Sequence, residues 1–277
     1  MNNEIIEYAQ LSTVQRPEDA AQKAIRYYLG NEFCDRRIVT PAEIEEAFTS
    51  VGETNGITCI TPFMTNEGFG RIGKTFEVLA KKNERNEIVI NDWGMLGFLR
   101  REYPHFTFIL GRILVSRYLT QFLNWDNARK FKQSKETQAF YCQFPQAFIV
   151  LMKKYGIQAF EFNSFSHLYV TQKQLVENGI RTHIYFPYTY ITVTRHCRFP
   201  GMYEPQPLED VPDCHRECHE RYAILSNRLH ENVVLENGNA RFLREKVFPQ
   251  GFDHSIDRVI YNDYMRGVSS GAPVTKY

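Results

Sequence analysis

The chain has 277 residues, 43% hydrophobic and 23% charged, a balance that buries a sizeable core and excludes a fibre or a disordered chain. Lys and Arg number 33 against 32 Asp and Glu, so the net charge is +1, there is no global basic field, and nucleic acid is not expected as a partner. No run of ~18 apolar residues is present to span a membrane. The start MNNEIIEYAQ is acidic and lacks the basic and apolar regions of a secretory signal, so the expected location is cytoplasmic. In a chain that is not exported, six cysteines are expected to bind metal or pack as free thiols rather than form a disulfide framework.

Strand-like and helix-like runs alternate along the sequence. PEDAAQKA (17–24) carries Pro and two acids where a helix begins, and IRYYLG reads as a short strand closing on Gly30. TPAEIEEAF opens with Thr40 as N-cap and Pro41 at the first helical position. ITCITPF (57–63), EIVIND (87–92), FTFILG (106–111), QAFYCQF (138–144) and IQAFEF (157–162) are short apolar runs expected as strands. Between them helices are expected near 72–82, 94–102, 113–131 and 145–155. Strands apolar on both faces and separated by helices pair in parallel under covered faces. THIYFPYTYITVT (182–194) is β-rich but contains Pro187, so it reads as two strands or an edge.

Seven or eight strands alternating with helices over this length predict an α/β fold of the TIM-like (β/α) barrel kind, mostly parallel, as a single domain over 1–277. A doubly wound sheet is the alternative, weakened because no G-x-G-x-x-G follows the first strand. Past Cys218, VVLENG, ARFLREKVF and DRVIYNDYM predict a strand-rich C-terminal appendage over 219–265, with a frayed tail over 267–277.

The richest segment for chemistry is TRHCRFPGMYEPQPLEDVPDCHRECHERY (194–222). Asp213 is placed to cap a helix starting at Cys214, which sets Cys214 and Cys218 at i and i+4 on one face. Thiolates at a helix N-terminus gain from the dipole and favour metal ligation. With Cys197 these make three thiolates. Zinc, completed by His196, His215 or His219, and an iron–sulfur cluster, completed by a fourth cysteine, are equally compatible with the spacing. Cys59 and Cys142 lie inside apolar runs and read as core, whereas Cys34 lies in the polar loop NEFCDRR and is the fourth-ligand candidate.

At this point the residues resemble a known family. YLGNEFCDRR (28–37) resembles the Y-L-G-x-x-x-C-x-x-R segment of one branch of the collagenase-like peptidase family U-32, the branch of oxygen-independent ubiquinone biosynthesis. SHLYV, the following R-H-C and the C-x-x-x-C pair resemble that branch's second half, and EIVINDWG and FILGRIL resemble further segments, from about residue 17 to 260. The resemblance implies a TIM-like barrel and a [4Fe-4S] cluster on Cys34, Cys197, Cys214 and Cys218. It also implies a heterodimer with a sister family member, leaves room for an electron donor, and points to a small aromatic or nucleobase-like substrate. Two segments depart from the family: the His-Gly-Ala-x-Cys motif of its peptidases is missing around His167, and TQKQLVENGIRT is longer than its counterpart in the branch.

In a barrel, the C-terminal ends of the strands face the site. This marks Asp92, Glu161 and His167 as catalytic candidates, and Arg112 and Asn163, with Arg37 of the YLGNEFCDRR segment, as substrate-binding candidates. A carboxylate, a guanidinium and an imidazole at one mouth can hold an acidic or phenolic substrate and move protons. The expected function is iron–sulfur-dependent, oxygen-independent hydroxylation or a related modification. A peptidase and a non-catalytic zinc-bound scaffold are the alternatives. No G-x-S-x-G elbow, H-E-x-x-H helix, Walker loop or C-x-x-x-C-x-x-C triplet is present.

Overall fold

The computed structural model describes residues 7–12, 26–51, 56–82, 86–120, 144–163, 169–194, 197, 214–219, 222–225, 234–245 and 256–262. Its first part alternates as read from the sequence. β1 (Glu7–Ser12) and β2 (Arg26–Gly30) lead to α1 (Pro41–Val51), β3 (Gly56–Ile60), α2 (Asn66–Lys82), β4 (Glu87–Ile90), α3 (Trp93–Glu102), β5 (Thr107–Leu110) and α4 (Arg112–Thr120). Then come α5 (Gln146–Lys154), β6 (Ile157–Asn163), α6 (Tyr169–Glu177), β7 (Arg181–Phe186) and β8 (Tyr188–Val193). β9 (Ala223–Leu225), β10 (Val234–Asn237), β11 (Ala240–Arg244) and β12 (Arg258–Tyr261) complete the order.

The main sheet runs β1-β12-β7-β6-β5-β4-β3-β2, parallel at every pairing, and β1 pairs with both β12 and β2, so the sheet curls back on itself. A separate four-stranded antiparallel sheet has the order β8-β11-β10-β9. The expected α/β class, parallel main sheet and small strand-rich unit are all present. No helix among the described residues is long and apolar enough to cross a membrane.

Alternation along the strands divides the core in two. Tyr28, Ile60, Val89, Ile109, Ala159, Tyr185 and Ile260, one from each of seven strands, cluster on the inner face of the curl. The outer face packs against helices: α2 buries Ile72, Thr75, Phe76 and Leu79, the i, i+3, i+4, i+7 stripe of an amphipathic helix. α1 starts with a capping box, Thr40 N–H donating to Glu43 Oε2 at 2.7 Å and Glu43 N–H to Thr40 Oγ1 at 3.3 Å.

Four expectations change. DRVIYNDYM does not belong to an appendage: β12 lies in the main sheet between β1 and β7. Burial of Arg258 explains why this polar-looking segment goes inside, since its guanidinium meets Glu87 at 2.6 Å within the curl. The small sheet instead recruits β8, the second half of the run that Pro187 divides. β1 arises from EYAQLS, which the acidic start did not suggest as a strand. The helix expected from Cys214 is a single 3-10 turn at Glu217–His219, preceded by Arg216 at φ 62°, a left-handed residue that no α-helix contains. The expected helix at 17–24, the strand residues 138–143, Cys142 and the 267–277 tail lie outside the described residues.

Candidate functional site

The C-terminal ends of the main-sheet strands carry a buried polar layer. Arg112, the first residue of α4, is fully enclosed, and its Nε and Nη2 donate to Glu32 at 2.7–3.0 Å. Its Nη1 donates to Asn163 Oδ1 at 3.0 Å and the Tyr188 carbonyl at 3.2 Å, and the guanidinium carbon lies 3.8 Å over the Tyr185 ring. Every face of this cation is therefore engaged by the protein. Burial raises the Glu32 carboxyl above its ordinary range, while Arg112 opposes the shift.

Glu161 sits beneath this pair, fully buried, accepting from the Tyr185 hydroxyl at 3.0 Å. Burial, reinforced by the neighbouring Glu32, pushes its carboxyl up to about 8, so it holds a proton at neutral pH. At the opposite ends of the strands, burial raises the Glu87 carboxyl, but Arg258 and Arg26 outweigh it and hold the group below its usual range. That end is a structural ion cluster in which Arg181 also approaches Glu87, at 3.7 Å.

Above the mouth, the β2–α1 loop is fixed by Asn31, whose Oδ1 accepts from the N–H groups of Phe33 and Cys34, each at 2.9 Å. Cys34 then leads into a 3-10 turn at Asp35–Arg37, closed by Arg37 N–H donating to the Cys34 carbonyl at 3.1 Å. A cavity of about 180 Å³ opens beside it, walled by Phe33, Cys34, Asp35 and Phe63 of the mouth and by Val193, Thr194 and Asn239 of the small sheet.

The cysteines gather around this loop. Burial raises the Cys34 thiol, and the nearby Cys214 adds to the shift. Burial likewise raises Cys218, which senses Arg37, Cys34 and Cys214. The guanidinium of Arg36 lies near Cys214, and Cys197 packs against Cys218 and Ala223. Cys34, Cys197 and Cys214 are half-buried and Cys218 is buried. Among the described residues no three His, Cys, Asp or Glu side chains stand close enough together to hold a metal ion. Cys59 is separate: it is wholly buried within β3, and burial alone pushes its thiol up to about 12.

The other sequence-derived candidates divide. Glu161, Arg112 and Asn163 do meet at one strand end. Arg37 lies with the cysteines and donates to Asn237 Oδ1 at 2.8 Å. Asp92 is the N-cap of α3, its carboxylate accepting from Met95 N–H at 3.1 Å, which accounts for its position without chemistry. His167 and His196 lie outside the described residues. His215 and His219 are exposed. The sequence reading missed Glu32, which hides in a loop that looks solvated, and the amides of Asn237 and Asn239. The N-G dipeptide in VVLENGNA marks their turn, although nothing in it marks what the amides bind.

Comparison with protein-family models and with curated proteins returns no match.

Proposed function

We propose that the chain is a cytoplasmic, TIM-like member of the collagenase-like peptidase family U-32 that binds a [4Fe-4S] cluster through Cys34, Cys197, Cys214 and Cys218. Its role is oxygen-independent hydroxylation or a related modification of a small aromatic or nucleobase-like substrate, alongside a sister family member and an electron donor. One observation carries the reading: Asn237 ties the loop of Cys34 to Cys218, accepting from Arg37 and donating to the Cys218 carbonyl, and Cys197 packs against Cys218. Only tertiary structure brings Cys34 to the others.

The chemistry of the donor set suits the group: four soft thiols are the ligand type such clusters take, and Cys34, Cys197, Cys214 and Cys218 would hold it. Arg36 and Arg37 place positive charge beside these thiols, and Arg37 Nε is buried with no acceptor among the described residues. The cluster, when bound, supplies electron transfer. The cavity beside Cys34 receives the substrate between the aromatic rings of Phe33 and Phe63. The protonated Glu161 and the Arg112–Glu32 pair hold the floor of the mouth rigid and closed to water.

Iron and sulfide analysis of protein purified without oxygen tests this. A brown protein with about four irons and four sulfides per chain is expected. A colourless protein carrying stoichiometric zinc would overturn the reading in favour of a zinc-bound scaffold.

A further inference from the structure

The turn between β10 and β11 touches each of three cysteine-bearing segments. Asn237 Nδ2 donates to the Cys218 carbonyl at 2.8 Å, while its Oδ1 accepts from Arg37 at 2.8 Å, closing onto the loop of Cys34. Asn239 Nδ2 donates to the Phe33 carbonyl at 2.6 Å, next to Cys34, and to the Thr194 carbonyl at 2.7 Å, on the segment leading to Cys197. Thr194 N–H returns a bond to the Asn239 carbonyl at 3.0 Å. Between the two amides, Gly238 has φ +62°, and a Cβ there would lie 3.4 Å from Cys218 Sγ.

The hairpin does not need these side chains. Its register, Val234↔Leu243 through Asn237↔Ala240, is made by backbone pairing, and Leu235 and Phe242 bury its core side. Bridging a carbonyl on one side and a guanidinium on the other needs a donor and an acceptor on one short side chain, as at Asn237, and donating to two carbonyls at once, as Asn239 does, needs the two N–H groups of an amide. We propose that the Asn237-Gly238-Asn239 turn is the positioning element of the cysteine site, holding the segments of Cys34, Cys197 and Cys218 in mutual register. The metal readout below rests on the cluster reading; the thiol readout does not.

Asn237→Asp keeps the shape and the acceptor for Arg37 but turns an oxygen toward the Cys218 carbonyl; Asn239→Asp does the same toward the carbonyls of Phe33 and Thr194. Arg241→Ala, which leaves both turn amides in place and removes the half-exposed partner of the buried Glu236 carboxylate, is the control for a general weakening of the hairpin. In the metal-free chain, alkylation of each cysteine is timed by peptide mass spectrometry. Loss of a hydrogen bond that restrains local opening should speed Cys218 about tenfold in Asn237→Asp and Cys34 similarly in Asn239→Asp, with Cys59 unchanged. In chain reconstituted with iron and sulfide, both variants should alter the electron paramagnetic resonance spectrum of the reduced cluster, and Arg241→Ala should not. Wild-type alkylation rates in both variants would overturn the proposal, as would equal acceleration of all cysteines including Cys59. A wild-type chain that takes up no iron, yet keeps the alkylation contrast, would defeat the cluster reading and leave the positioning role standing.

Discussion

Arg112 and Glu32, 80 residues apart in the chain, form a two-pronged ion pair in which neither side chain exceeds 2% exposure. A pair this deep is costly to half-remove, because the surviving charge keeps its desolvation cost and loses its compensation. Arg112→Met should therefore lower unfolding free energy by about 3–5 kcal/mol in chemical denaturation. Adding Glu32→Gln should recover most of that loss. A single variant as stable as wild type would show that the pair is not the anchor of the mouth.

Glu161 gives the molecule a pH dependence of definite sign. Its carboxyl is raised from an ordinary 4.5 to about 8 by burial, so between those values the folded chain holds a proton that the unfolded chain has released. Stability from this group is full below about 4.5 and falls as pH rises through about 8, by up to about 5 kcal/mol. Glu161→Gln, neutral at every pH and still an acceptor for Tyr185, should gain stability relative to wild type steadily across that window. The difference in Tm between the two, followed over pH, isolates Glu161 from other titrating groups; a flat difference would refute the assignment.

The strands and helices of the main sheet were legible because each is signalled locally. EIVIND and FTFILG are short runs apolar on both faces, and Thr40-Pro41 with Glu43 is a complete helix start. The strand of β12 was legible but its place in the main sheet was not, because its first residue is an arginine that belongs inside only once Glu87 of β4 is there to meet it. The same holds for Glu32, whose burial depends on Arg112. At the cysteine site, residue type and spacing pointed to Cys34 and the 214–218 pair, but the positive φ of Arg216 breaks the helix on which an i, i+4 face was expected. Long-range partners and single-residue backbone reversals leave no periodic trace in sequence.

Asp92 should behave as a cap and nothing more. Asp92→Ala removes the acceptor for Met95 N–H and should cost about 1 kcal/mol, while Asp92→Asn, which retains an acceptor, should cost less. Iron content should be unchanged in both. If Asp92→Asn abolished turnover on a substrate once one is identified, the carboxylate would have a role beyond the helix terminus.

The thiols offer the sharpest contrast. Cys34→Ser, Cys197→Ser, Cys214→Ser and Cys218→Ser should each lose much of the bound iron, since a hydroxyl replaces a soft thiolate poorly. Cys59→Ser should keep wild-type iron and lose about 1–3 kcal/mol of stability, because it places a hydroxyl in a wholly buried strand position. Comparing iron per folded chain across the five variants, with Tm measured on each, separates ligation from indirect loss through unfolding. Cys34→Ser decides the matter. It removes the sulfur that only the fold delivers, from a loop that keeps its Asn31 hydrogen bonds to the backbone of residues 33 and 34 whatever the side chain at 34. Iron retained at the wild-type level in that variant would take Cys34 out of the site, bring His196 or His219 forward as the fourth donor, and return zinc as the metal to be tested.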